Sequence, residues 1–239
     1  MIKLLVALCF LILFEGRGIA QESDNQNVMN IGGGFGKSAG NASLDYTHNW
    51  RLGQKERLTI GIGARFTSFF GGMLNYTTAP AKLTTGTAGP ENMFKKPIKR
   101  NIDSLCLESS QVNFLNLAFN IGHRFSSKWD LGFKIDLIGF SFGGEQKGEY
   151  IRNGERVAAS ANPTSFNVLL IGDNDRGNLN SELYLRYFIS ERWGIKAGMQ
   201  MLFAEYTTPN NIQQFPEPND RFRYKAMLIS MGISHNLDR

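Results

Sequence analysis

Alternation of apolar and polar residues with a period of two is the feature that most constrains this chain. From Leu58 to Phe66 the even positions are apolar, whereas the odd positions carry Arg, Thr or Gly. The same pattern runs from Trp129 to Leu137 and from Trp193 to Phe203. A period of two over eight or more residues predicts a β-strand with one apolar and one polar face, because successive side chains point to opposite sides of a strand.

Weaker copies of this alternation extend the pattern over most of the chain. They are found at residues 44–51, 115–122, 182–187 and 227–234, with a Gly-rich segment at 27–35 as the first strand. Together with the three strong segments they predict eight strands in an all-β chain.

The N-terminus has the three-part layout of a secretory signal. Lys3 supplies a positive charge, Leu4 to Phe14 is apolar, and Gly18 and Ala20 occupy the positions that a signal peptidase reads. We expect residues 1–20 to be a signal peptide and residues 21–239 to form one domain. The alternative is a lipoprotein signal with Cys9 as the lipidated residue, although Leu8 stands where such signals have a small residue.

Charge and cysteine content narrow the class of protein further. Removal of Lys3, Arg17 and Glu15 with the signal lowers the net charge of +5 by one, and so mild a charge does not predict a nucleic-acid partner. Cys106 is then the only cysteine, so stability has to come from the fold rather than from an intrachain disulfide. No later stretch of about 18 apolar residues occurs, which excludes a helical membrane protein.

The links between the expected strands fall into two classes. Short polar links lie at residues 53–56, 126–128 and 190–192, and long ones lie at 71–109, 144–177 and 209–220. Short turns on one rim and long loops on the other are typical of bacterial outer-membrane barrels, whose short turns are periplasmic. The pattern therefore predicts an eight-stranded antiparallel transmembrane β-barrel with both termini in the periplasm.

The composition of the two faces predicts which one points outward. The polar face combines Gly, Ser and Asn with single charges, which suits the narrow interior of an eight-stranded barrel. The apolar face has aromatic residues near its ends, including Trp50, Trp129 and Trp193, as in an interfacial girdle. A soluble lipocalin-like barrel or a β-sandwich is the alternative, because periodicity alone does not distinguish inside from outside.

Charged residues on the inward parity are predicted to form an ion-pair network that fills the lumen, since unpaired charges there would be costly. These residues are Asp45, Arg51, Arg57, Arg65, Arg124, Asp130, Lys134, Asp136, Glu182, Arg186 and Lys196. The alternative reading of the same charges is a polar conduit for small solutes or ions.

With its signal, eight amphipathic strands, short basic turns and long loops, the chain resembles the small outer-membrane barrels of the OmpA/OmpX type. The resemblance rests on pattern over nearly the whole mature chain. It departs at the C-terminus, where Leu237, Asp238 and Arg239 follow the last strand in place of a terminal aromatic residue. The resemblance implies a location in the cell outer membrane and a non-enzymatic role as a scaffold or binding protein.

Few residues predict specific chemistry. No paired carboxylates or Ser/His/Asp grouping can be placed at one barrel end, and neither a cofactor nor a metal site is predicted. Lys95, Lys96, Lys99 and Arg100 form a basic cluster in the first long loop. This cluster is a candidate for binding lipopolysaccharide phosphates, besides outer-membrane lipid and a membrane or surface protein as further partners. A lipid-modifying enzyme or a narrow solute pore is the alternative function.

Overall fold

The computed structural model of the chain describes residues 25–170 and 172–238. The predicted signal peptide, residues 1–20, and the start of the predicted mature domain lie outside the described residues. Within the described residues, thirteen strands form one antiparallel sheet, which closes into a ring.

Eight long strands make up the principal ring, here called the lower ring. Their order is β1, β2, β3, β6, β7, β11, β12, β13, and β13 pairs with β1 to close it. The bounds are β1 Gln26–Phe35, β2 Ala39–Leu52, β3 Leu58–Gly71, β6 Ser110–Arg124, β7 Trp129–Phe142, β11 Leu179–Phe188, β12 Trp193–Thr207 and β13 Arg221–Asn236. Each of these corresponds to one of the strands predicted from alternation.

The predicted total of eight strands is wrong, because the two longer links contain five further strands. These are β4 Leu74–Thr78, β5 Ser104–Leu107, β8 Gln146–Arg152, β9 Glu155–Pro163 and β10 Phe166–Val168. The first link also holds helix α1, Ala81–Thr85, and two 3₁₀ turns at Pro90–Phe94 and Lys99–Asn101. A third 3₁₀ turn spans Gly172–Asn174. Most of these strands are too short for the alternation to be recognised in sequence.

A second, smaller ring stands on the long-loop rim and shares the β12–β13 hairpin with the lower ring. Around it the hydrogen-bonded order is β12, β13, β4, β5, β8, β9 and back to β12. We call it the upper ring. Its interior is continuous with the lumen below, because β12 and β13 keep the same inward parity in both rings.

The apolar parity of the lower ring faces outward. Ile229 and Ile31 expose 68% and 62% of their surface, and Ile62, Leu131 and Ile195 are exposed on the same side. Inward positions are buried and mostly polar or Gly in the lower half of the ring. The arrangement is that of an inside-out barrel, in which the exposed surface rather than the core is apolar.

A β-bulge changes the parity of β7 in its upper part. The register between β6 and β7 shifts between Leu117 and Ala118, so that Leu137 is left without a cross-strand partner. Its carbonyl instead accepts a hydrogen bond from the Leu169 amide at 2.7 Å. This contact ties the second long link to the barrel wall, where β10 continues the wall above β11.

Within the described ranges, no helix is both long and apolar enough to cross a membrane.

Candidate functional site

The lumen near the short-turn rim contains a bidentate ion pair between β7 and β11. The Arg186 guanidinium donates through Nη2 to Asp130 Oδ2 at 2.6 Å and through Nε to both carboxylate oxygens at 3.1 Å. The rings of Phe188 and Tyr184 lie 4.9 and 5.9 Å from the guanidinium carbon. The Arg186 guanidinium at the bottom of the lumen is therefore both hydrogen-bonded to a carboxylate and packed against aromatic rings.

A second pair crosses the lumen between β2 and β7. The Lys134 ammonium contacts the Asp45 carboxylate and donates to Thr47 Oγ1 at 2.8 Å. Asn30 from β1 donates to the same carboxylate at 2.8 Å. Asp45 and Lys134 are both buried, so the charges of this cross-lumen pair are neutralised away from water.

Glu182 on β11 accepts hydrogen bonds from three side chains on β12 and β13. Lys196 lies 2.8 Å from its carboxylate, Ser230 donates at 2.9 Å and Gln200 at 3.4 Å. Arg65 Nη1 lies 4.0 Å away and links this group to the next.

Asp136 is the most fully bonded carboxylate of the lumen. It accepts from Arg65 Nε and Nη2 at 2.9 and 2.6 Å, from Asn116 Nδ2 at 2.9 Å and from the Asn180 amide at 2.9 Å. Arg65 and Asp136 expose 1% and 0% of their side chains. Four ion pairs thus occupy the lower lumen, and their side chains fill the space that an open channel would need.

Three of the predicted lumen residues lie at the short-turn rim, outside these four groups. Arg51 is buried at the end of β2, with Nη1 4.0 Å from Glu56. Arg57 is exposed in the β2–β3 turn, and half-buried Arg124 stacks its guanidinium 4.6 Å from the Phe188 ring. Parity assigned all three to the lumen; Arg51 is buried at an inward position at the end of β2, whereas Arg57 and Arg124 lie where the strands end and the wall no longer encloses them.

The upper lumen is apolar, which the sequence reasoning did not anticipate. Phe69, Phe114 and Leu202 of the lower ring meet Tyr76 and Tyr206 of the upper ring in one buried cluster. The remaining buried members are Leu74, Leu105, Leu107, Val112, Tyr150, Ala161, Ala204, Phe222, Ala226 and Leu228. We call this cluster the aromatic plug. A signal for it exists, since apolar residues occupy both parities in Phe69–Phe70, Phe114–Leu115 and Leu202–Phe203.

The tyrosine hydroxyls of the plug donate hydrogen bonds to residues beside it. Tyr76 donates to Ser110 Oγ at 2.9 Å, Tyr206 to the Gln111 carbonyl at 2.9 Å, and Tyr150 to the Asp103 carboxylate. Burial raises the pKa of Tyr76 and of Tyr150 well above the usual range, and for Tyr150 the bond to Asp103 adds to the effect. Both hydroxyls are therefore protonated donors at neutral pH.

A charged group outside the wall was also missed. Glu205 lies at an outward position of β12 but is buried. Its carboxylate accepts hydrogen bonds from Arg221 Nε at 2.8 Å and from Arg223 Nη2 at 2.7 Å. The Asp175 carbonyl accepts from both guanidinium groups, so the second long link covers this cluster. The alternating pattern predicts this strand only from Trp193 to Phe203, whereas β12 extends to Thr207 and so includes Glu205.

The basic cluster of the first long loop is exposed on an ordered platform. Lys95, Lys96, Lys99 and Arg100 are all exposed, and Phe94 beside them exposes 66% of its surface. The backbone is fixed from below: the Ile98 amide donates to the Thr84 carbonyl at 2.7 Å, and Asn101 Nδ2 donates to the Leu83 carbonyl at 2.9 Å.

This platform connects to the wall just above the apolar band. Asn174 Nδ2 donates to the Ala88 carbonyl at 2.7 Å, and the adjacent Asp175 lies over Arg221 and Arg223. Lys225 follows Arg223 by two residues on β13 and therefore lies on the same face of the strand. It is exposed, and its ammonium lies 5.3 Å from the Phe203 ring. Lys225 is therefore an exposed base on the same strand as Arg221 and Arg223, which are paired with Glu205.

Paired aromatic and imidazole rings surround the outer surface at the short-turn rim. His48 lies 4.7 Å from Trp50, His235 lies 4.3 Å from Trp193, and Trp129 lies 4.8 Å from Tyr187. Rings with an apolar body and a polar edge are typical of the boundary between lipid and water. No group of three or more His, Cys, Asp or Glu side chains suited to a metal ion occurs in residues 25–170 and 172–238.

No protein-family model matches the sequence, and neither does any curated protein. Among solved structures, the chain is similar to Ail, the attachment invasion locus protein of Yersinia pestis, with 9% identity, a TM-score of 0.37, and coverage of 91% of this chain and 100% of Ail. It is similar to Neisserial surface protein A with 7% identity, a TM-score of 0.34, and coverage of 89% and 96%. It is also similar to the Pseudomonas putida toluene transporter TodX, with 9% identity, a TM-score of 0.26, and coverage of 92% of this chain and 90% of TodX. These proteins are bacterial outer-membrane β-barrels.

Proposed function

We propose that this chain is an integral protein of the bacterial outer membrane, with a barrel of the OmpA/OmpX kind. The lower ring crosses the lipid, the short turns and both termini are periplasmic, and the upper ring stands outside the cell. The outward apolar band and the ring pairs at its lower edge support this placement. A ring without open edges satisfies its backbone hydrogen bonds internally, as a lipid environment requires.

The filled lumen is the observation that favours a binding protein over a pore. Four ion pairs fill its lower half, and the aromatic plug fills its upper half. An eight-stranded barrel has room for side chains but not for a wide aqueous channel. The protein therefore acts as a non-enzymatic scaffold or binding protein through its outer surface and upper ring, and not as a pore.

The first binding surface in this proposal is the basic cluster. Its four charges are exposed on a backbone that is fixed by hydrogen bonds to α1. Phosphate groups of outer-leaflet lipopolysaccharide would lie at the height of this cluster, and an exposed Phe94 beside the charges can contact acyl chains. We propose these phosphates as its ligand.

Reconstitution into planar lipid bilayers tests the proposal. The purified protein should resist SDS at room temperature and shift in mobility after boiling, because a closed barrel has no edge from which to unravel. The same preparation should show no stepwise single-channel conductance. Discrete conductance steps would favour the narrow pore, and lipid hydrolysis products in the same sample would favour the enzyme.

A further inference from the structure

Like charges are neighbours in one cross-strand row at the short-turn rim. The Arg124 amide donates to the Arg57 carbonyl at 2.7 Å, which extends the β3–β6 ladder by one pair and places the two arginines opposite each other. Arg124 is in turn opposite Asp130 on β7, and Asp130 is opposite Arg186 on β11. The row therefore contains three arginines and one carboxylate.

Arg186 already occupies this carboxylate. It donates to both oxygens of Asp130 at 3.1 Å and again to Oδ2 at 2.6 Å. Arg124 packs on the Phe188 ring at 4.6 Å, and Arg186 lies 4.9 Å from the same ring. Like charges directly opposite each other on neighbouring strands are destabilising. An anion bound between Arg57 and Arg124 would therefore stabilise this end of the row.

A cleft opens beside these two arginines, between the β2–β3 turn and the β6–β7 turn. Its volume is about 200 Å³, and three basic, one aromatic and two hydroxyl side chains line it: Lys55, Arg57, Arg124, Phe125, Ser126 and Ser127. Phe125 exposes 50% of its surface, so the cleft combines positive charge with an apolar contact. The acid of the β2–β3 turn, Glu56, is directed elsewhere, with its carboxylate 4.0 Å from Arg51.

Two arginines that share one carboxylate already occur in this chain. Arg221 and Arg223 donate to Glu205 at 2.8 and 2.7 Å. Guanidinium groups suit this task because their planar, fixed donors match the two oxygens of a carboxylate. Arg57 and Arg124 offer the same pair of groups at the rim, and Lys55 adds a third charge.

We propose that this cleft binds an acidic segment of a partner polypeptide, with a side-chain carboxylate between Arg57 and Arg124. Both arginines stand at the mouth of the lumen, inside the outward-facing girdle of Trp50 and Trp129, where lipid headgroups lie. The cleft is therefore accessible from the aqueous side of the short turns. The inference goes beyond the proposed function, because it assigns a ligand to the rim opposite the basic cluster.

Fluorescence anisotropy with a labelled, C-terminally amidated hexaglutamate peptide tests the proposal. The protein in phosphatidylcholine nanodiscs should bind this peptide and should not bind hexaglutamine. Arg57→Gln combined with Arg124→Gln removes both guanidinium groups and should weaken binding roughly tenfold, because hydrogen bonds to charged groups are lost.

The matched control is Lys95→Gln combined with Lys96→Gln, which removes two charges from the opposite rim and should bind like the parent protein. All variants are first checked for the mobility shift on boiling. Lys55→Gln with Arg57→Gln, at two exposed positions, replaces the first pair if that pair does not fold. Unchanged binding by a folded rim variant, equal weakening by the control, or no binding by the parent protein would overturn the proposal.

Phosphatidylglycerol nanodiscs distinguish a polypeptide ligand from a lipid headgroup. The ratio of peptide affinities between the parent protein and the rim variant should be the same in both kinds of disc. A ratio of one in phosphatidylglycerol alone would mean that headgroups occupy the cleft, and the proposal would be wrong. Because the mobility shift and the conductance test the barrel itself, failure here is distinguishable from failure of the proposed function.

Discussion

Individual charges in the lumen are stable only as members of pairs. Asp136 shows this most clearly, since it is fully buried and accepts four hydrogen bonds, two of them from Arg65. Loss of one partner leaves the other charged, buried and unpaired, which costs more than the pair contributes.

Asp136→Asn should therefore lower the free energy of unfolding by about 3–5 kcal/mol. Urea titration of the protein in lipid vesicles, followed by tryptophan fluorescence, measures this loss. The control is Glu217→Gln, which breaks the exposed pair between Glu217 and Lys82 and should cost less than about 1 kcal/mol. If the two substitutions have equal effects, the lumen is more hydrated than the ion pairs indicate.

The outward parity makes a second prediction at single positions. Ile62→Arg places a charge in the apolar band and should cost about 2–4 kcal/mol in lipid. Val157→Arg, at an exposed position on β9 of the upper ring, is the matched control and should cost little. A harmless Ile62→Arg in the same titration would mean that this face meets water.

At the level of strands, the seam between β1 and β13 is held by more than its ladder. Asp238, just after β13, accepts from the backbone amide of Asn27 and from its side chain, the latter at 2.8 Å. The Leu237 amide donates to the Asn27 carbonyl at 2.8 Å. These bonds clamp the last residues described to the start of the first strand.

The clamp predicts a pH dependence of the seam. Hydrogen bonds from Asn27 lower the pKa of Asp238 below its ordinary value of 3.8. The stabilisation is therefore complete above pH 3.8 and is lost as the pH falls below it, through the folded-state pKa. The temperature of the gel-mobility transition, compared between the parent protein and Asp238→Asn at pH 7 and pH 3, measures this effect. The difference between them should be present at pH 7 and shrink at pH 3; a constant difference would contradict the clamp.

Strands of the lower ring could be predicted from sequence because each repeats the two-residue period over many residues. β3 and β12 illustrate this, with an apolar parity that faces outward as predicted. β5 and β10, with four and three residues, are too short to show a period. Their pairing is determined by contacts far along the chain, which no local pattern contains.

The candidate site was predictable to a similar extent. Inward parity identified the charged residues of the four ion pairs, because a side chain on the inward face of a strand points into the lumen. Parity could not show where the wall ends, and so it placed Arg57 in the lumen. Nor could it show that loop residues such as Tyr76 enter the lumen from above.

For the whole molecule, charge is distributed over two rims with different environments. The Lys95, Lys96, Lys99 and Arg100 cluster lies on the long-loop rim, and a matched set of exposed bases, Lys55, Arg57, Lys128 and Arg192, lies on the short-turn rim. Replacement of all four cluster residues by Gln should weaken binding to lipopolysaccharide-containing vesicles and reduce its salt dependence. The same replacement at the short-turn rim should do neither, as measured by vesicle flotation at two salt concentrations. If both sets weaken binding equally, net charge and not the cluster attracts the lipid.

The β12–β13 hairpin, which belongs to both rings, also sets an order of assembly. β13 is the last of the described strands, and it must pair with β1, the first of them, before the lower ring can close. The upper ring cannot close earlier, because the same strand supplies the partner of β4. Contacts between such distant residues form slowly, since the entropy of a long loop is lost before the contact is gained. Both rings therefore stay open until β13 has paired, so their closure depends on the same strand.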